Sequence, residues 1–407
     1  MNNSKVNYKN TFLLGLGFFC ISITWSLYNS FVPIFLNKYI SSAFVIGLIM
    51  TFDNIAAITL QPFFGALSDR TNTKYGRRMP YLLIGIPVSA AFFLLIPYEF
   101  SLISLIAIVM CFNITMSIYR APTIALMPDL TPSPLRSKAN GIINFMGGFG
   151  ALLAYFVGSK IYDYDRHMPF MGTSLLMIFA ILILYKAIKE PSAPALEDKE
   201  SSGIISAFKE ILSDKDKSAL FILFAIFFWF IGYQGIEALF TLYGVKYLGI
   251  KESAAALTLG FFSFSFLIFA IPSGFIATRM GRKKTIKIGL IGLMIVFAAI
   301  LFSKDITVIR GLMLIGGIFW AFVNINSYPM VVEMTTDKKI GAYTGLYYLF
   351  SSMSAILGPP LFGKLIDLVG YGVLFILALC FFLLAFICIT YVKKGEYKVI
   401  GDGQVEI

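Results

Sequence analysis

The stretch Gln61–Pro80 reads QPFFGALSDRTNTKYGRRMP, and it holds four basic residues and one acid within eleven positions after Leu67. The whole chain, in contrast, is 58% hydrophobic and only 14% charged. Water-soluble domains contain about 45 to 50% apolar residues, and about a quarter of their residues are charged. With a mean hydropathy of +0.82, this composition predicts a membrane protein, in which the charged stretch lies where the chain leaves the lipid.

Long apolar runs recur throughout the 407 residues, and most reach the roughly 17 to 25 residues that a helix needs to cross the hydrocarbon core. Lipid offers no partner to an unpaired backbone group, so such runs form helices. The sequence therefore predicts an all-α membrane protein with twelve transmembrane helices. Their approximate positions are 11–36, 44–67, 81–97, 102–127, 141–158, 173–188, 219–243, 254–277, 285–302, 306–332, 341–363 and 371–392.

Lysine and arginine are distributed unequally between the two sets of loops. With the N-terminus placed in the cytoplasm, 24 of the 33 basic residues fall on the cytoplasmic side and 8 on the other, while Arg120 lies within a span. Short cytoplasmic loops of membrane proteins carry such an excess. The pattern predicts a multi-pass protein of the cell membrane with both termini in the cytoplasm. It also accounts for the net charge of +11 without a nucleic-acid partner.

The opening stretch has a counterpart in the second half of the chain, where Ile271–Thr285 reads IPSGFIATRMGRKKT. Both stretches contain a proline, a glycine and a glycine followed by two basic residues, in the same order. A second correspondence places Asp129 and Glu333 near the ends of the fourth and tenth spans. The chain is therefore predicted to consist of two repeats of six helices each.

The boundary between the repeats falls in a polar segment that contains EPSAPALEDKESSG. Its proline, serine and charged residues are typical of a linker. We predict an N-terminal six-helix bundle at 1–190, a cytoplasmic linker at 191–216 and a C-terminal six-helix bundle at 217–407.

Two six-helix repeats with such loops resemble the major facilitator superfamily. Within it, QPFFGALSDRTNTKYGRRMPYLLIG is similar to a run found in plant sucrose carriers and their relatives, near the glycoside, pentoside and hexuronide cation symporters. ALMPDLTPSPLRSKANG and ITWSLYNSFVPIFL add to the resemblance. It implies a monomeric secondary transporter working by alternating access, which imports a sugar, a di- or oligosaccharide, by symport with protons. Sodium is the alternative coupling ion.

The charged loops are interpreted as a cytoplasmic gate that ties helix ends together. Arginine forms bidentate pairs with carboxylates, so Arg77 and Arg78 can reach acids such as Asp129 at neighbouring helix ends. The alternative for each arginine is the ordinary positive charge of a cytoplasmic loop. The proposed gate residues are Asp69, Arg70, Gly76, Arg77, Arg78, Asp129, Arg279, Gly281, Arg282 and Glu333.

Polar side chains within the spans are the candidate transport residues, because an ionisable group near the bilayer centre costs roughly 2.5 to 3.5 kcal/mol. Asp53 and Glu237 are the candidates for proton coupling, with Asp53 first. Aromatic and neutral polar side chains suit the CH faces and hydroxyl groups of a sugar. The candidate substrate-binding residues are Trp25, Asn29, Arg120, Tyr233, Gln234, Trp320, Asn324 and Asn326.

Some of these residues have alternative interpretations. The asparagines and the tyrosine could instead form hydrogen bonds between helices. Arg120 binds substrate hydroxyl groups or pairs with an acid. The plant carriers have an arginine five residues before the acid of the A-L-x-x-D-L segment, where this chain has Ile124. The substrate-binding role of that arginine is therefore not transferred directly to Arg120.

Other classes of protein fit the sequence less well. A drug or metabolite exporter of the same superfamily typically has a G-x-x-x-G-P run in its fifth helix, whereas NFMGGFGALLAYFVG lacks the proline. A non-transporting membrane sensor would have no use for gate motifs in both repeats. No catalytic grouping or P-loop occurs, and the four cysteines lie in apolar spans. No enzymatic activity, cofactor or metal is expected, and an ion gradient must supply the energy.

Overall fold

A computed structural model describes residues 8–131, 135–188, 190, 204–335, 339–394, 398–400 and 404–406. Within these residues, twelve helical stretches are long and apolar enough to cross a membrane, which confirms the predicted all-α membrane fold. The α-helices are α1 (Tyr8–Asn37), α2 (Ala43–Met50), α3 (Phe52–Arg70), α4 (Met79–Leu95), α5 (Leu102–Leu130), α6 (Arg136–Leu153), α7 (Ser159–Tyr164), α8 (Met168–Ala187), α9 (Ile204–Ser213), α10 (Ser218–Lys246), α11 (Glu252–Met280), α12 (Arg282–Leu301), α13 (Ile306–Val332), α14 (Ile340–Val369) and α15 (Leu374–Tyr391).

Two spans are interrupted part of the way across. In the second span, α2 ends at Met50 and α3 begins at Phe52, with Thr51 between them. In the fifth span, a π-helical turn at Ala154–Gly158 separates α6 from α7. Such irregular turns are frequent at functional sites.

The first compact unit comprises residues 1–41, 49–198 and 251–260. Among its described residues, α1 packs against α6 and α8, and α4 packs against α5 and α8. Phenylalanines fill the centre: the Phe93 ring lies 5.4 Å from that of Phe112 and 4.9 Å from that of Phe170, between ring centroids. Aromatic side chains bury the largest apolar area, so this cluster holds α4, α5 and α8 together.

The second compact unit comprises residues 42–48, 199–250 and 261–407. Among its described residues, α10 packs against α14 and α15, and α12 packs against α13 and α15. These pairs correspond one to one to those of the first unit when the chain is counted in six-span repeats. The centre is again aromatic, with the Phe375 ring 5.2 Å from Phe297 and 5.3 Å from Tyr243.

Helix α9 and a pair of short strands lie outside the spans. Residues 191–203 of the predicted linker fall outside the described residues, while its next part forms α9, whose Ala207 and Ile211 are buried. Glu210 on α9 accepts a hydrogen bond from Lys339, with 2.6 Å between Oε1 and Nζ, and this bond raises the pKa of Lys339. After the last span, strands β1 (Lys398–Ile400) and β2 (Gln404–Glu406) pair antiparallel.

Glycine allows α11 and α13 to approach closely in the second unit. A Cβ atom at Gly317 would lie 2.1 Å from the Phe262 carbonyl oxygen, whereas one at Gly311, on the same helix, would meet no atom within 4 Å. We expect Gly317→Ala to destabilise the fold by about 1 to 3 kcal/mol, because the backbones must separate. Gly311→Ala is the matched control and leaves stability unchanged or raises it, since alanine favours helix. Thermal unfolding in detergent measures both, and equal midpoints would contradict this packing.

Candidate functional site

An arginine–carboxylate cluster ties the end of α3, the start of α4 and the end of α5. Arg77 donates two hydrogen bonds to Asp129, at 2.6 Å from Nη2 and 3.2 Å from Nε. Arg78 donates to the same carboxylate at 3.0 Å and also to Asp69. The side chains of Arg77 and Arg78 are only 9% and 4% exposed. Removing one member of such a buried pair leaves an uncompensated charge, so the members stabilise one another. We call Asp69, Arg77, Arg78 and Asp129 the first latch.

Glu190, just after α8, is a latch partner that the sequence analysis missed. Its carboxylate accepts hydrogen bonds from the backbone nitrogens of Arg78, at 2.9 Å, and Met79, at 3.1 Å, and so caps the start of α4. Its side chain is 1% exposed and lies 3.8 Å from Arg77 Nε. Gly76 makes room for it: its φ is +103°, and a Cβ there would lie 2.3 Å from Glu190 Oε2. The sequence signal that could have pointed to Glu190 was its position at the same end of the bundle as the basic loop.

The corresponding contact in the second unit, which we call the second latch, consists of Arg282 and Glu333. Arg282 donates to both oxygens of Glu333, with 2.8 Å from Nε to Oε2. Gly281 has a φ of +89°, so glycine is again required before the basic pair. Lys283, in place of Arg78, donates to backbone carbonyl oxygens of Thr390 and Val392 at the end of the last span. Arg70 and Arg279, the other gate residues predicted, are exposed.

In the first unit, an aromatic and polar cluster lines the middle of α1 and α5. Trp25 meets Tyr28 edge to face, with 5.1 Å between ring centroids, and Phe112 at 5.7 Å. Asn113 donates to the Tyr28 hydroxyl at 3.3 Å. Trp25 Nε1 is buried and has no hydrogen-bond partner in the described part of the chain. Trp25 and Asn29 are both half-buried, one turn apart on α1.

Asp53 lies at the interruption of the second span, in the first turn of α3. It is ten residues beyond Ala43, which at 1.5 Å per residue is about 15 Å along the span. Its Oδ1 accepts hydrogen bonds from the Asn54 backbone, at 2.6 Å, and side chain, at 2.7 Å. Its charge acts electrostatically on the half-buried Arg120 and on Tyr28. The fold thus brings Asp53, Arg120 and the α1 cluster into one region of the first unit.

The second unit has an aromatic stack between α10 and α13. Tyr233 and Trp320 lie parallel, with ring centroids 4.4 Å apart and an interplanar angle of 4°. Phe230 meets Trp320 edge-on at 5.7 Å. Glu237 is one turn beyond Tyr233, so the two side chains share a face of α10. Tyr233 and Glu237 are half-buried, whereas Trp320 is 3% exposed.

The predicted amide side chains of the second unit have different surroundings. Asn326 is fully buried and donates at 3.0 Å to Ser273 Oγ, which ties α13 to α11. This contact is the helix-to-helix hydrogen bonding that the sequence left as an alternative. Asn324 and Gln234 are half-buried, and Gln234 packs beside Gly358 of α14.

Comparison with known proteins agrees with this architecture. The family model of the Major Facilitator Superfamily matches residues 14–302 and 245–402. The isoprimeverose transporter of Lactiplantibacillus pentosus is 24% identical over 310 residues, which cover 72% of this chain and 64% of the relative. A class H tetracycline resistance protein of Pasteurella multocida is 25% identical over 276 residues, covering 64% of each chain. The chain thus spans just under two thirds of the length of these two relatives.

A solved structure of the nucleoside transporter NupG has the same fold, with a TM-score of 0.77 and 15% identity over 94% of this chain and all of that one. At this identity the likeness bears on the fold alone. The family match extends over nearly the whole sequence, and the twelve spans and the paired latches agree with it. The chain is a member of the major facilitator superfamily, whose members are transporters rather than enzymes.

Proposed function

We propose that the protein is a secondary active transporter that carries a sugar together with protons. The observation that carries this proposal is that Asp53 acts electrostatically on Arg120 and on Tyr28, whose ring meets that of Trp25. Charged groups inside spans usually face a partner or a wet cavity and mark the paths of substrates and ions. The relative that transports isoprimeverose, a sugar, supports the substrate class.

Sugar binding would use the two aromatic groups and their polar neighbours. The apolar CH face of a sugar ring packs on an aromatic ring, and its hydroxyl groups need donors and acceptors. Trp25 and Asn29 would provide these in the first unit, and Tyr233, Gln234, Trp320 and Asn324 in the second. The unpartnered Trp25 Nε1 is a donor available for a hydroxyl group. Asn326 is better suited to helix packing, because its amide nitrogen already bonds to Ser273 and Phe322.

Proton coupling would depend on Asp53. When ionised, its carboxylate would balance the charge of Arg120, and when protonated it would leave that charge available to a sugar hydroxyl group. Loading the proton and binding the sugar would then favour each other, which is the coupling that a symporter requires. Glu237 is the second candidate. It lies one turn from the Tyr233–Trp320 stack and would couple in the same way from the second unit.

The direction and orientation belong to the same proposal. The excess of Lys and Arg in alternate loops supports a cell-membrane orientation in which both termini and both latches face the cytoplasm. Residues 191–216 would then form the cytoplasmic linker between the bundles at 1–190 and 217–407. Import as a monomer with H⁺, rather than Na⁺, follows the symporter resemblance. No metal or other cofactor is required.

Export of a drug or metabolite is a second candidate, favoured by the similarity to a tetracycline resistance protein. Counterflow in proteoliposomes separates the two. We expect exchange with labelled isoprimeverose, sucrose, maltose, trehalose or a glucoside. Exchange of tetracycline and of no sugar would overturn the proposal in favour of export.

Of the predictions from the proposed function, the first concerns coupling. Asp53→Asn is expected to abolish proton-driven accumulation of the sugar found by counterflow, because the amide cannot carry a proton. Sugar exchange needs no net proton movement and should remain within about threefold of wild type. Asp305→Asn, in a loop outside the spans, is the control. Accumulation with a normal pH response in Asp53→Asn would transfer the coupling role to Glu237.

The second prediction concerns the aromatic stack. Trp320→Ala removes the ring that lies 4.4 Å from Tyr233 and should weaken sugar binding by about tenfold or more, in line with roughly 1.5 kcal/mol for an aromatic contact. Trp320→Phe keeps a ring and is expected to retain most of the affinity. Half-saturation in counterflow measures both variants. If the two bind sugar equally well, the stack has no part in binding.

The third prediction concerns the cytoplasmic gate. Arg77→Ala removes the bidentate partner of Asp129, so the helix ends should separate more readily on the cytoplasmic side. Lys74→Ala is the matched control, because it removes a positive charge from the same loop at a side chain that lies over the Tyr75 ring. We measure modification of a cysteine introduced at Asn324 by a membrane-impermeant reagent from the cytoplasmic side.

The labelling rate should rise severalfold in Arg77→Ala and stay at the parent value in Lys74→Ala, in a background in which the native cysteines are replaced by alanine. Arg77→Lys, which keeps the charge and loses the bidentate geometry, should lie between them. Equal labelling in all three variants would show that the first latch does not restrain the cytoplasmic side.

A further inference from the structure

The N-terminus of α2 is capped by a carboxylate from α14. Asp367 Oδ1 accepts a hydrogen bond from the Ala43 backbone nitrogen at 2.6 Å. Its Oδ2 accepts from the Ser42 hydroxyl at 2.5 Å and from the Phe44 backbone nitrogen at 3.1 Å. The first N–H groups of a helix have no partner within it, and a negative charge there is favourable. A side chain 325 residues away in the sequence thus satisfies the start of α2.

A corresponding contact lies at the N-terminus of α11. Ser253 donates its hydroxyl to Asp163 Oδ1 at 2.6 Å, and Tyr162 donates its own to Glu252, the acid in the first turn of α11. The Tyr162 ring is held by a parallel stack on Phe31, with 4.0 Å between centroids. Here too a carboxylate from the end of another helix, α7, fixes the first turn of α11. We call Ser42–Asp367 and Ser253–Asp163 the two clasps.

The clasps are related by the same repeat as the latches. Asp163 follows Asp129 by 34 residues, and Asp367 follows Glu333 by 34. Ser42 immediately precedes α2 and Ser253 is the second residue of α11, so each serine lies at the start of the second span of its repeat. Corresponding ends of both repeats therefore carry a serine–aspartate contact, which an isolated surface hydrogen bond would not do.

Each clasp joins a helix of one sequence repeat to a helix of the other. Residues 42–48 belong to the same compact unit as α14, although the rest of their span belongs to the first unit. Residues 251–260 belong with α7, while the rest of α11 belongs to the second unit. In the second and eighth spans, the first turns thus pack in a different compact unit from the rest of the span. The clasps lie at those first turns.

The helices beneath the Ser42–Asp367 clasp touch backbone to backbone. A Cβ at Gly363 would lie 2.2 Å from the Ala43 carbonyl oxygen, and one at Gly47 would lie 2.5 Å from that of Pro359. Small residues allow such approach but provide no interlocking side chains. Asp367 accepts the hydrogen bonds that join the start of α2 to α14, and Lys364 Nζ of α14 lies 5.9 Å from the centre of the Phe44 ring. Because Asp367 and Asp163 are exposed, water can replace their partners when the contact opens.

We propose that Asp163 and Asp367 are gating residues, which hold closed the side of the transporter opposite the latches and release the α2 and α11 termini whenever that side opens. The inference rests on the alternating access of the proposed function. The Ser42–Asp367 clasp includes a helix cap, and the Ser253–Asp163 clasp is a hydrogen bond to a charged group. The loss of either should therefore shift the equilibrium between the closed and open forms by about 2- to 30-fold.

The test measures distances between spin labels in lipid nanodiscs, in a background in which the native cysteines are replaced by alanine. One pair, at Ile103 and Lys246, reports on the clasp side, and a second pair, at Asn72 and Met280, on the latch side. All four positions are exposed. The variants are Asp163→Ala, Asp367→Ala and both together. Asp305→Ala is the matched control, because Asp305 caps only its own helix, α13, through Thr307 at 2.7 Å.

We expect each single variant to raise the population with longer Ile103–Lys246 distances by about 2- to 30-fold and the double variant to raise it further. The Asn72–Met280 distances should shorten in parallel. Asp367→Glu, which keeps the carboxylate, should restore part of the effect, and Asp305→Ala should change neither pair. Reciprocal shifts support gating whichever substrate the counterflow panel identifies.

Unchanged distances at both pairs in a folded double variant would overturn the proposal. A lower unfolding temperature without opposite changes in the two distances would also overturn it. The clasps would then stabilise the fold without controlling the opening. Because the distances need no substrate, failure of the gating inference is distinguishable from an incorrect sugar assignment.

Discussion

Lipid cannot hydrogen-bond to a protein, and the arrangement of charge in this molecule follows from that constraint. A buried charge must carry its partner with it, so the arginines of the latches meet carboxylates on adjacent helices. Arg77 and Arg78 share Asp129, and Arg282 meets Glu333. Where the backbone itself loses its helical partners, at the start of α4, the carboxylate of Glu190 replaces them. The ends of the spans are therefore fixed by charge, while their middles are fixed mainly by aromatic packing.

The two repeats meet this constraint with different chemistry. In the first, Arg78 draws on Asp69, Asp129, Ser68 and the Gly65 carbonyl oxygen, so one side chain connects three helices. In the second, Lys283 takes its place and donates to the backbone carbonyl oxygens of Thr390 and Val392. A guanidinium directs several donors in a plane, whereas an ammonium acts as a compact charge. The first latch is consequently the more extensively bonded of the two, although the backbone conformation at Gly76 and Gly281 is shared.

The features that depend on a local pattern or on repetition could be predicted from the sequence. The spans follow from the length of the apolar runs, and the proximity of Arg77 to Asp129 follows from two motifs at the same end of the bundle. The stack of Tyr233 on Trp320 was not foreseen as a contact, although both residues were selected by type. Glu190 offered only its position at the end of the bundle that carries the basic loop, and its contact with the start of α4 depends on which helices become neighbours. The clasps could not be found from the sequence for the same reason. Ser42 and Asp367 carry no signal of pairing across 325 residues.

Latches and clasps lie at opposite ends of the spans, and they differ in what their separation requires. A latch joins two full charges whose side chains are mostly buried, so breaking it exposes or strands both charges. A clasp joins one exposed carboxylate to neutral donors, which are a hydroxyl group in both clasps and also backbone N–H groups at α2. Contacts of the second kind cost less to break, because water can replace the donors at the exposed carboxylate and no pair of buried charges is separated. The helix ends on the latch side are therefore joined by buried ion pairs, whereas those on the clasp side are joined by hydrogen bonds that water can replace. Because both repeats of six helices carry one contact of each kind, this difference between the two sides is a property of the repeat itself.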